Sequence, residues 1–273
     1  MNDRPSDQSG KAAAQRGLCR LLSTYRLRRR GVLLCAIAAV LVGGTLLRSP
    51  AQDAKPADAT LAQLMKIPAA TLSDAMDEVV GRRGFMSYDM RPVSFTRRMA
   101  GRAKTVKYGP ATDSDPKKNI GPRYAIQIID ESGPGDVLVA VTGDLNITGL
   151  GGLMARTANV RGMEGVVVDG AVRDVEEIEE FGMPVFTRSI SPSTMVGRST
   201  SLTRDVPVMC GGVTVAPGDY IIGDRDGVVC VPAGQIERVI KRALEMEVAE
   251  MKMRPMIRKF KSLQKVVDMF KRI

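Results

Sequence analysis

The chain has 273 residues, 44% hydrophobic and 26% charged, a composition that excludes a wholly disordered chain and a polytopic membrane protein. It contains no His, which excludes Ser-His-Asp and Cys-His catalysis and imidazole metal sites, and leaves carboxylates, Arg, Lys, backbone amides and hard cations to do any chemistry. The net charge of +10 is carried by the ends: residues 1–50 hold 9 basic and 2 acidic residues, residues 238–273 hold 11 and 4, and residues 51–237 hold 20 and 24, so no nucleic-acid partner is expected for the central part.

In chain order, residues 1–30 form a basic N-terminal segment ending in RLLSTYRLRRR. An uncharged apolar run follows, GVLLCAIAAVLVGGTLL at 31–47. Its 17 residues lie between the length of a signal-peptide core and that of a bilayer span, so it reads as either a signal anchor or a signal peptide cleaved after Ala51. Both readings export the rest of the chain, as a protein anchored in the inner membrane facing the periplasm or as a free periplasmic one, with any membrane partner reached through this segment. Residues 48–61 read as a polar linker, 62–250 as the folded domain and 251–273 as a basic helical tail. Cys19 and Cys35 lie in the N-terminal segment. Cys210 and Cys230 lie in expected strands, where they read as small buried hydrophobes before they read as a pair.

Leu72, Ala75, Met76 and Val79 recur at helical spacing, so a helix is expected over 67–79, with Thr71 or Ser73 as its cap. Next come an expected strand at 99–109, a helix at 122–132 and a buried strand at 135–143 after a Pro-Gly turn. A helix at about 152–161, a strand at 164–170, a helix at 175–182 and a strand at 184–189 continue the alternation. Continuous Val-rich strands between helices imply an α/β fold whose parallel or mixed sheet is covered on both faces. From Val206 short strands with PGD and DRDG turns are expected, then a long helix from about Ala233. Beyond it, Leu263, Val266, Val267 and Phe270 give the tail an amphipathic helical pattern, interrupted upstream by Pro255.

Two segments carry the chemistry. TGLGGLMA, 148–155, is a glycine-rich turn entering a helix, so the amides near Gly151, Gly152, Leu153 and Met154 are free donors suited to a carboxylate. VVVDGAVRDVEEIEE, 166–180, places Arg173 and Asp174 at the carboxyl end of a buried strand, where open α/β sheets bind ligands. Arg clamps a carboxylate through two parallel hydrogen bonds, and Asp holds a divalent cation. Asp174 followed by Glu177 also reads as a helix N-cap with its reciprocal partner.

GPGDVLVAVTGD (133–144), GGLMARTANVRGMEGVVVDGAVRD (151–174), GMPVFTRSISP (182–192) and VPVMCGGVTVAPGDYIIGDRDGVVCVP (206–232) together resemble the RraA-like family, which includes the class II 4-hydroxy-4-methyl-2-oxoglutarate aldolases and the regulators of ribonuclease E activity. The resemblance implies a swivelling β/β/α sandwich, here preceded by one N-terminal hydrophobic helix and followed by a basic amphipathic C-terminal helix, and assembled as a homotrimer or homohexamer. It implies a lyase that cleaves a C–C bond of a small 2-oxo acid, as an aldolase, an oxaloacetate decarboxylase or both, through a metal-stabilised pyruvate enolate. Carried over by motif, Arg173 and Asp174 are catalytic; Arg173 with Gly151, Gly152, Leu153 and Met154 binds substrate; and Asp174 holds Mg²⁺ or Mn²⁺. One departure stands out: the aldolases carry an acid 21 residues before the arginine, where this chain has Gly152, and Asp144 is the nearest acid in sequence. The alternative from a different class is a non-catalytic trimeric binding or regulatory protein.

Overall fold

Successive side chains of a strand point to opposite faces, and in VLVAV, 137–141, both alternating sets are apolar. The computed structural model describes residues 58–111 and 121–271, and both faces of this strand are covered. Leu138 and Ala140 pack with Ile128, Ile129, Ala155, Ala158 and Ile178 of the helices, whereas Val137, Val139 and Val141 pack with Val208, Cys210, Val213 and Val215. Burying each of these larger side chains contributes roughly 1.5–3 kcal/mol.

The strands are β1 (Arg91–Ser94), β2 (Met99–Pro110), β3 (Asp136–Val141), β4 (Thr148–Leu150), β5 (Gly165–Val172), β6 (Val185–Ile190), β7 (Ser199–Arg204), β8 (Val208–Cys210), β9 (Val213–Val215), β10 (Tyr220–Asp224) and β11 (Gly227–Val231). The helices are α1 (Ala59–Leu64), α2 (Ala69–Val80), α3 (Arg123–Glu131), α4 (Gly152–Val160), α5 (Val175–Phe181), α6 (Ile236–Phe260) and α7 (Leu263–Phe270). A mixed sheet runs in the order β1-β6-β5-β3-β2-β10-β11, with β4 beside β5 and β7 beside β2; β8 and β9 form a separate hairpin. The β2–β3, β3–β5, β4–β5 and β5–β6 pairs are parallel, and the remaining pairs are antiparallel. The fold is therefore a mixed α/β one. A further cluster joins α1, α2 and α6 to β10 and β11 through Leu64, Leu72, Met76, Ile222, Val231 and Val239.

The alternation expected from the sequence is present from α2 to β6, and β1, β4 and β7 are additional strands that were not expected. Four expectations are corrected. The linker assigned to 48–61 overlaps a helix, because Asp58 caps α1 by accepting from the Thr60 amide at 3.0 Å. Neither Thr71 nor Ser73 caps α2: Pro68 precedes it, and Asp224, 155 residues away, accepts the Ala69 amide at 2.9 Å. Pro255 does not interrupt the C-terminal helix; α6 runs through it, and the break comes at Lys261, with φ 49°, before Ser262 caps α7 by accepting from the Lys265 amide. Finally, among the described residues no helix is long and apolar enough to cross a membrane, against the expectation of a membrane protein with a transmembrane helix; residues 31–47, on which that expectation rested, lie outside the described residues.

Candidate active site

The site is built by strand register. β3 pairs with the first part of β5, up to Val141 opposite Asp169, and β4 takes over along the same edge, with Thr148 opposite Ala171 and Leu150 opposite Val172. Because β4 and β5 are parallel, their carboxyl ends emerge side by side, where open α/β sheets collect ligands. Gly151 and Gly152 leave β4 next to Arg173 and Asp174 leaving β5, and the Arg173 amide donates to Leu150 O at 3.2 Å.

Asp174 has φ 59° and ψ 39°, the left-handed region that non-glycine residues enter at a cost and that gathers at functional sites. It stands at the N-cap position of α5, yet its side chain makes no capping bond there. The carboxylate turns the other way, and Oδ2 accepts the Gly152 amide, the first of α4, at 2.8 Å. The capping-box reading of Asp174 with Glu177 is thereby corrected: the left-handed backbone aims Asp174 at the neighbouring loop. The amides of Leu153 and Met154 belong to the first turn of α4, which has no earlier carbonyl to satisfy them.

Arg173 Nη1 donates to Ser193 O at 3.3 Å, and Nε lies 3.5 Å from Asp174 Oδ2. That separation is an ion pair and not a hydrogen bond, and Nε is shielded from solvent with no hydrogen-bond partner among the described residues. Arg173 and Asp174 are both about two-fifths exposed. Together with Gly151, Gly152, Leu153 and Met154 they line one cavity of about 270 Å³, so the structure gathers every site residue expected from sequence.

The sequence reading missed the opposite wall, Thr194, Met195 and Val196, and the contribution of Pro122 and Ile126. Thr148 fastens that wall, its Oγ1 donating to Ser191 O at 3.0 Å and its amide to Ser193 Oγ at 3.1 Å. Nothing in the spacing of SISPST marks it. Asp144 stays in its turn, where Oδ1 accepts from the Asn146 amide at 2.8 Å.

Among the described residues no group of three or more Cys, Asp or Glu is arranged to hold a metal. Mg²⁺ does not require such a cage, since it keeps several waters and takes one or two carboxylates plus substrate oxygens. Asp174, with Oδ1 left over and the cavity beside it, fits that kind of binding. Thiolate ligation is not on offer from Cys210 or Cys230, which are free and buried, and burial pushes both thiols well above their ordinary range.

The sequence profile of the RraA-like family, described as Aldolase/RraA, matches residues 69–230. A Halalkalibacterium halodurans protein provisionally named a 4-hydroxy-4-methyl-2-oxoglutarate aldolase is 32% identical over 187 residues, 67% of this chain and 81% of that protein. The Thermus thermophilus 4-hydroxy-4-methyl-2-oxoglutarate aldolase is 37% identical over 107 residues, 39% of this chain and 65% of that protein. The crystal structure of Streptomyces coelicolor RraAS2, described as an unusual member of the RNase ES inhibitor RraA protein family, superposes with a TM-score of 0.66 at 28% identity, covering 74% of this chain and 100% of that one.

Proposed function

The chain belongs to the RraA-like family, and from that membership we propose that it is a lyase that cleaves a C–C bond of a small 2-oxo acid, with 4-hydroxy-4-methyl-2-oxoglutarate or oxaloacetate as substrate. The names of the relatives from H. halodurans and T. thermophilus support this reading. The observation that carries it is the convergence of Arg173, Asp174 and the first turn of α4 on one cavity.

In this reading Arg173 and the Leu153 and Met154 amides hold the carboxylate beside the keto group, where a guanidinium and a positive helix end both favour an anion. Asp174 would hold Mg²⁺ or Mn²⁺, and the cation when bound supplies Lewis-acid polarisation of the substrate's keto group. The Asp174 bond to the Gly152 amide ties the two binding elements together, so carboxylate and keto group meet a preorganised pair of sites. Leu150, Leu153, Met154, Met195 and Val196 make the rest of the cavity wall apolar.

The test is pyruvate release from both substrates by the full chain, with Mg²⁺ or with EDTA. Metal-dependent turnover is expected. Arg173→Ala and Asp174→Ala are each expected to lower kcat/KM by about 10²–10³-fold, the size of losing one preorganised charge contact. No turnover of either substrate by a folded chain would remove the lyase reading. It would favour the second one, a non-catalytic binding protein, for which the likeness to RraAS2 is the support.

A further inference from the structure

Aldol cleavage of a 4-hydroxy-2-oxo acid makes one demand that decarboxylation of a 2-oxo diacid does not: a base must take the proton of the hydroxyl group as the C–C bond breaks. Two of the nearby carboxylates are committed elsewhere. Asp174 Oδ2 is bound to the Gly152 amide and its Oδ1 is the oxygen that would hold the cation, and Asp144 is held by Asn146 in its own turn. Glu177 differs. From the first turn of α5 it reaches across to α4, where Oε1 accepts from Arg156 Nε at 2.9 Å. Arg156 is in turn stacked over Phe181 at 4.9 Å, which fixes where the pair sits.

The other oxygen, Oε2, accepts no hydrogen bond among the described residues and stands against the bare Cα of Gly152. A Cβ on Gly152 would overlap Oε2, with Glu177 Cδ 2.8 Å and Asp174 Cβ 3.2 Å away. Gly152 itself lines the cavity, and Glu177, which does not, stands directly behind it. Its φ is not in the left-handed region, so the backbone does not call for glycine there. The missing side chain is what leaves room for a carboxylate from another helix.

We propose that Glu177 is the proton carrier of the aldol step and that Gly152 is the residue that admits it. The inference rests on the lyase reading above. Glu177 takes the proton of the substrate's 4-hydroxyl group. The O–H electron pair becomes the second bond of a new keto group, the C3–C4 bond breaks, and its electron pair passes to the C3 side as an enolate of pyruvate. The proton then returns from Glu177 to C3, so that one 4-hydroxy-4-methyl-2-oxoglutarate gives two pyruvates and the carboxylate is restored.

The test compares both substrates with the full chain and Mg²⁺. Glu177→Gln is expected to lower kcat for 4-hydroxy-4-methyl-2-oxoglutarate by about 10²-fold or more, the usual size of a general acid–base contribution, with pyruvate affinity by calorimetry unchanged. Oxaloacetate decarboxylation by the same variant is expected to stay within about threefold of the parent, since no hydroxyl proton is taken. Gly152→Asp placed in a Glu177→Ala chain has the vacated space to itself and is expected to recover aldol cleavage at least about tenfold over Glu177→Ala alone. Undiminished aldol cleavage by Glu177→Gln, an equal loss of both reactions, or a parent chain that decarboxylates oxaloacetate without cleaving the aldol substrate would each overturn the assignment and leave the lyase reading standing. A parent chain inactive on both substrates overturns the two together.

Discussion

At the scale of single residues, the charges show how local pattern and long-range pairing divide the work. Arg188, on β6, donates three hydrogen bonds to Asp89 at 2.9–3.0 Å and one to Asp169 at 3.0 Å, while Asp169 Oδ2 accepts the Gly211 amide. The hydrogen bonds from Arg188 hold the Asp89 carboxyl below its ordinary range, outweighing the opposing effect of burial. A carboxyl whose pKa is depressed by folding contributes stability above its unfolded pKa and loses it as pH falls through the folded one. Asp89→Asn is therefore expected to cost about 1–2 kcal/mol at pH 7. In urea titrations the gap between variant and parent should close as pH falls below about 4. A gap that stays constant down to pH 2 would show that the ionised form of Asp89 contributes nothing.

At the scale of elements, the helices are held by partners far away in sequence. The Ala69 amide at the start of α2 is satisfied by Asp224 of β10, and Thr71 Oγ1 donates to Glu247 of α6 at 2.6 Å. Such pairings explain why α2 forms without a local cap. They also bear on α6, which tolerates Pro255 in its interior. Proline removes one helical hydrogen bond and crowds the preceding turn, at a cost of about 3 kcal/mol in a helix interior. Buried Met246 and Met253 and the seating of α7 through Val266 hold α6 to its course. Pro255 is exposed, so replacing it leaves no cavity. Pro255→Ala is expected to raise stability by about 1–3 kcal/mol, read as a higher Tm. An unchanged or lower Tm would mean that α6 is already kinked or frayed at that turn.

At the scale of the whole molecule, the described residues leave apolar side chains in solvent around the candidate site. Leu153 is 80% exposed, Ile190 64% and Val196 56%, and Leu153 and Val196 line the cavity itself. Large apolar side chains at the rim of a cavity mark surfaces that become covered. Such a covered rim fits an oligomer, for which the family resemblance implies three or six copies. Light scattering on the eluted full chain is expected to give the mass of three or six copies, and Leu153→Asp is expected to lower it. A single-copy mass at micromolar concentration would rule the assembly out and leave the cavity open to solvent.

Much of this was legible along the chain. The run Val137–Val141 and the alternation of helical and strand periodicity identify a sheet buried on both faces, because a strand covered on both sides has no position to spare for a polar residue. An Arg-Asp pair directly after one of those strands and a Gly-Gly turn before a helix mark the site, because both place donors or charge at a carboxyl sheet edge. Three features were decided only in three dimensions. The parallel register of β4 on β5, with Leu150 opposite Val172, brings the two motifs together, and no local pattern encodes a pairing of strands so short. The left-handed backbone of Asp174 turns its carboxylate from its own helix to the Gly152 amide, a choice between two sets of donors that composition leaves equal. The carboxylate of Glu177 fills the place where Gly152 has no side chain, because an empty position is defined only by what packs against it.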